Sequence, residues 1–126
     1  MSRKPDWSRH VPDPRLVPFR DRVARLFRED HEIGLLLVRV EPFAELAGGH
    51  LWRRRWVTRD LLWLWLRLDG GLQDHVVHQD RFEGELRDLQ RGLFRFRGEV
   101  LRLEWCTDEE AERLRPELTP PPLTRG

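Results

Sequence analysis

Leu61-Leu62-Trp63-Leu64-Trp65-Leu66-Arg67-Leu68-Asp69-Gly70-Gly71-Leu72-Gln73-Asp74-His75-Val76-Val77-His78 is the stretch whose reading decides the fold. Apolar residues bound a central Asp-Gly-Gly, and both Asp-Gly and Gly-Gly supply the positive φ of a tight hairpin turn. The stretch predicts a β-hairpin over about 58–78. Either two-residue turn gives the same facing parity. One face carries Leu62, Leu64, Leu66 and Leu68 opposite Gln73, His75 and Val77. The other carries Trp63, Trp65 and Arg67 opposite Leu72, Asp74, Val76 and His78. The leucine face is core, which leaves the tryptophan face to be explained.

Downstream of the hairpin, Asp80 and Glu83 have capping-box spacing, Phe82, Leu86 and Leu89 share one helical face, and Gly92 is a natural stop. Next comes Leu93-Phe94-Arg95-Phe96-Arg97-Gly98-Glu99-Val100-Leu101-Arg102-Leu103-Glu104-Trp105. In a straight strand its Phe pair and its Leu101, Leu103 and Trp105 would fall on opposite faces. A turn or bulge at Gly98 unites them, which predicts a second hairpin. Thr107-x-x-Glu110 caps a last short helix, expected to end before Pro116.

Upstream, Pro18 suits a first helical position, and Phe19, Val23, Leu26 and Phe27 have helical spacing. Residues 33–40 read as a buried strand. Residues 42–56 are ambiguous, with a short helix over 42–47 ended by Gly48-Gly49 as one reading. The resulting fold class is α+β: a single small domain, an antiparallel sheet with helices on one face. A ferredoxin-like βαββαβ core with added terminal helices fits the same order. Residues 1–17, with Pro5, Pro12 and Pro14, are expected to be an extended N-terminal arm. Residues 18–115 form the α+β domain, and residues 116–126 form a Pro-rich C-terminal tail that cannot be helical.

Composition limits the function classes. The chain has 126 residues, with 22 arginines and one lysine, Lys4. Asn and Tyr are missing, Ile33 is the only isoleucine, and Ser2 and Ser8 are the only serines. This bias against AT-rich codons marks a GC-rich genome. Because 23 basic residues face 22 acidic ones for a net charge of +1, arginine richness is no argument for a polyanion ligand. The single cysteine, Cys106, excludes an internal disulfide and suits a reducing cytosol. The N-terminus has no apolar run, and residues 61–68 are too short to span a bilayer. A cytoplasmic protein without membrane contact is expected.

Two segments are candidate binding elements. Trp52-Arg53-Arg54-Arg55-Trp56 combines phosphate forks with stacking platforms, each base stack being worth about 1–3 kcal/mol. Its plain alternative is a loop or edge strand whose tryptophans turn inward. Trp63, Trp65 and Arg67 share a strand face and would anchor a protein partner, since Trp and Arg dominate interface hot spots. Their alternative is burial under the first helix or the Trp7 arm.

Other chemistry finds little support. His75 and His78, three apart on a strand, point to opposite sides and cannot share one metal ion. Ser2 and Ser8 lie in the arm, and Cys106 could be activated only by the dipole of the helix that follows it. Neither Gly48-Gly49 nor Gly70-Gly71 matches a phosphate loop. No catalytic, cofactor-binding or metal residues are therefore expected. The expected function is a small non-catalytic protein that binds another protein, as an immunity, inhibitor or accessory-subunit type. Single-stranded nucleic-acid binding through residues 52–56 is the alternative, and a homodimer is a further use of the same face.

Overall fold

The computed structural model describes residues 4–48, 54–69 and 71–119. Among these residues six strands form one antiparallel sheet: β1 (Val23–Arg28), β2 (His31–Ala47), β3 (Arg55–Leu68), β4 (Gly71–Val77), β5 (Leu93–Phe96) and β6 (Glu99–Trp105). Two α-helices are present among the described residues, α1 (Phe82–Gln90) between β4 and β5, and α2 (Asp108–Leu118) after β6. The strand order in the sheet is β4-β3-β2-β1-β6-β5.

The first four strands are thus a meander, and β5–β6 adds to its β1 side. That order, with every pair antiparallel, does not give the ferredoxin-like βαββαβ core. The sheet curls, so its two edges approach one another. His75 on β4 lies with its ring 5.9 Å from Phe94 and 6.4 Å from Phe96 on β5.

The β3–β4 hairpin has the expected register. Leu62 pairs with Val77, Leu64 with His75 and Leu66 with Gln73, while Trp63, Trp65 and Arg67 face Val76, Asp74 and Leu72. Leu68 pairs with Gly71 at the end of the hairpin. The second hairpin also forms. Phe96 pairs with Glu99 across Arg97 and Gly98, whose φ values of 52° and 78° are those of a tight two-residue turn. Phe94 and Phe96 therefore join Leu101, Leu103 and Trp105 on one face.

Residues 23–28 correct the expected first helix. Pro18 belongs to a single 3-10 turn, Val17–Phe19, and the chain then enters β1. This strand is central, hydrogen-bonded to β2 and β6, and covered on both faces. Ala24 and Leu26 enter the main core while Val23 packs beneath α2. A strand apolar on both faces has no alternation, and here its apolar spacing matched a helix. Residues 42–47, the candidate short helix, continue β2, while Gly49 lies outside the described residues.

One helix covers each face of the sheet, where both were expected on the same face. Phe82, Leu86 and Leu89 of α1 close the concave face against Leu36, Val38, Leu62, Leu64, Leu66 and Phe94. Leu16 and Phe19, preceding β1, are buried in that core. On the opposite face, Ala111 and Leu118 of α2 pack with Val23 and Leu37.

The Asp80–Glu83 capping box does not form. A 3-10 turn, Gln79–Arg81, leads into α1, so Arg81 takes the cap position without a side-chain bond. The Thr107–Glu110 capping box does form. Gly92, with φ 74°, follows α1 as its stop. Helix α2 does not end before Pro116 but carries it internally and runs on to Leu118. Full burial of Leu118 holds that last turn, and the Thr119 hydroxyl donates to the Arg115 carbonyl at 2.9 Å.

Beyond the region flanked by β1 and β4, residues 41–47 pair only with residues 55–61. They form a two-stranded ribbon extending the centre of the sheet. Its base is tied to the preceding segment by Asp60, the one buried charged residue among those described. The Asp60 carboxylate accepts a hydrogen bond from His10 Nε2 at 2.7 Å and from the Asp13 backbone N–H at 2.7 Å.

Candidate partner-binding site

Strand alternation in β3 turns Trp63 and Trp65 to the face opposite the leucines. The two indoles stack, with centroids 5.5 Å apart and planes 16° from parallel. Asp74, directly across from Trp65, accepts a hydrogen bond from Trp63 Nε1 at 3.0 Å. That bond fixes the orientation of the outer ring, and the stack fixes the inner one.

Both rings are half-buried. The expected covers, the first helix and the Trp7 arm, do not cover them. Trp7 packs against His10, which is bonded to Asp60 on the leucine face. Instead α2 flanks the inner ring, and Trp65, like Leu35, Leu72 and Leu114, packs against the cluster of Val23, Leu37, Ala111 and Leu118. Trp63 lies farther out.

A groove of about 240 Å³ opens beside the pair, lined by Leu37, Arg39, Glu41, Trp63, Trp65 and Thr119. Its floor is apolar, and its rim carries one charge of each sign, Arg39 and Glu41, 3.5 Å apart. Arg67, farther along the same face, is exposed and donates from Nη1 to the Glu117 carbonyl at 3.2 Å. It satisfies an orphan carbonyl near the end of α2 and steadies the helix that flanks Trp65.

The second candidate segment lies at the far end of the ribbon. Trp52 and Arg53 fall outside the described residues. Arg54 and Arg55 are exposed, and among the described residues neither makes an ion pair. Trp56 is half-buried and pairs with Leu46, itself 51% exposed. Trp56 has the facing parity of the leucines, so it lies on the opposite face from Trp63 and Trp65. Seven residues of strand, about 23 Å at 3.3 Å per residue, separate Trp56 from Trp63. The two segments are therefore distinct surfaces.

Cys106 lies just before α2. It is half-buried with the α2 core, and burial pushes its thiol above the ordinary cysteine range, more than nearby Arg25 pulls it down. Arg25 is engaged by Glu32 at 2.9 Å and Glu110 at 3.1 Å. His75 contacts Phe94, Phe96 and Glu85 within the curl of the sheet, with Nε2 3.5 Å from Glu85. Among the described residues no three His, Cys, Asp or Glu side chains are grouped to hold a metal ion. No helix among them is long and apolar enough to cross a membrane.

Sequence reasoning missed the groove's other wall, because Leu37, Arg39 and Glu41 come from β2 and Thr119 from beyond α2. It also missed the His10–Asp60 pair. The signal for that pair was present: Asp60 continues the parity of Leu62, Leu64 and Leu66, and a carboxylate on a core face requires a partner.

Compared with protein-family models, curated proteins and solved structures, the chain matches none.

Proposed function

We propose that this is a non-catalytic protein that acts by binding another protein, with Trp63 and Trp65 as its anchors. The supporting observation is the stacked, half-buried indole pair, oriented by Asp74 and bordered by an apolar groove with a charged rim. A pre-oriented aromatic pair loses little conformational freedom on association, and large indole surface is the usual source of hot-spot energy. Arg39, Glu41 and Arg67 would supply the polar rim that sets register. Burial of the Cys106 thiol disfavours its thiolate. Inhibitor, immunity or accessory-subunit roles all fit such a surface.

Affinity capture from the native host, with nuclease-treated and untreated lysate, tests this reading. A protein captured in both lysates and lost with Trp63→Ala supports it. Capture that disappears on nuclease treatment refutes it.

One observation favours a second reading. Arg54, Arg55 and Trp56 sit toward the tip of a projecting two-stranded ribbon, a shape that offers cations and a stacking ring together. Single-stranded nucleic acid fits that chemistry, with residues 52–56 as its contact. Affinity would fall steeply with added salt, and the absence of binding to single-stranded DNA and RNA at low salt would dismiss it.

A further inference from the structure

We propose that the groove beside Trp63 and Trp65 is the docking site of the chain's own residues 120–126. Helix α2 crosses the sheet and ends with Leu118 fully buried against it. The next residue, Thr119, already lines the groove together with Leu37, Arg39, Glu41, Trp63 and Trp65. Pro120-Pro121-Pro122-Leu123-Thr124-Arg125-Gly126 therefore starts from the groove wall itself.

The chemistry of the segment suits the surface. Three consecutive prolines have preset φ, so holding them against a surface costs little backbone entropy. Aromatic-lined grooves take proline runs by packing pyrrolidine rings against ring faces, and two indoles stacked at 5.5 Å offer such faces. The reach is sufficient, since six residues from Thr119 to Arg125 span about 19 Å at 3.1 Å per residue. Arg125 brings a cation to a rim that holds the Glu41 carboxylate, and Leu123 can meet Leu61 and Phe43, which continue the same ribbon face.

Docked in this way, the segment competes with any partner for the same indoles, at the roughly millimolar effective concentration that a short tether supplies. That regulatory consequence rests on the proposed function, whereas the docking itself does not.

The test compares the full chain with a chain ending at Thr119, using the indole N–H resonances of Trp63 and Trp65. Trp105, which packs on the other face against Phe19, is the internal reference. Removing the segment should shift the Trp63 and Trp65 signals and spare Trp105. A synthetic peptide of residues 119–126, added at about 1–5 mM to match the tethered concentration, should restore them. A full-length variant with Pro120→Ser, Pro121→Ser and Pro122→Ser should resemble the shortened chain, which covers the case where shortening disturbs α2. Coincident indole signals in all three proteins would overturn the proposal. So would a shift that depends on protein concentration, which would make a second copy the occupant.

Discussion

Single residues carry much of the specificity of this fold, and Asp60 is the clearest case. Its carboxylate is buried on the leucine face and accepts hydrogen bonds from His10 and the Asp13 N–H. Removing it strands two part-buried donors, so Asp60→Ala should destabilise the domain by about 1–3 kcal/mol in a denaturant melt. Gly34 is as strict for a different reason. A Cβ there would sit 2.1 Å from the Arg67 carbonyl oxygen, which is backbone and cannot move aside. Gly34→Ala should cost about 1–3 kcal/mol, read by the same melt. Cys106 should alkylate more slowly than a free thiol at neutral pH, because burial disfavours its thiolate. The rate should rise with pH toward a midpoint above 9.0, the ordinary value; a midpoint below it would mean the thiol is activated.

Among the elements, α2 is the one that shapes the candidate site, and its N-terminus sets its position. Glu110 closes the capping box with Thr107 and accepts from Arg25. The Arg25 guanidinium, then the Thr107 bonds, hold its carboxyl below the ordinary 4.5. A depressed folded value means that this group favours the fold above pH 4.5 and that its contribution is lost as pH falls through the folded value. Glu110→Gln should therefore be less stable than the natural chain at pH 7, with the difference shrinking as pH falls below 4.5 in parallel urea titrations. Elements also show what a sequence can disclose. Both tight hairpins were legible, since Asp69-Gly70 and Arg97-Gly98 mark turns and the flanking alternation sets the register. Strand β1 was not, because Ala24, Leu26 and Val23 are buried on two faces and lose the period of two. The ribbon was equally hidden, since residues 42–47 before Gly48-Gly49 read as a short helix with its stop although Pro42 pairs with Asp60 inside β2. The final turn of α2 was hidden too, because tertiary burial of Leu118 overrides the helix-breaking tendency of Pro116.

On the scale of the whole molecule, one curled sheet separates two kinds of surface. Its concave side is filled by α1, Leu16 and Phe19 and is devoted to stability. Its other side is only partly covered, because α2 crosses β1, β2 and β3 and leaves Trp63 and the adjoining groove beside its end. The tryptophan face was legible as a face, but its half-covered state was not, since the covering residues lie some fifty positions along the chain. The proposed function requires Trp63, together with the uncovered part of Trp65, to be a recognition surface, although Trp65 also packs against the core beneath α2. The most direct measurement is Trp63→Ala, followed by a denaturant melt and by partner capture from nuclease-treated lysate. The account predicts a cooperative unfolding transition close to that of the natural chain, together with loss of the captured protein. Collapse of the domain, or full retention of the partner by a folded variant, would contradict it.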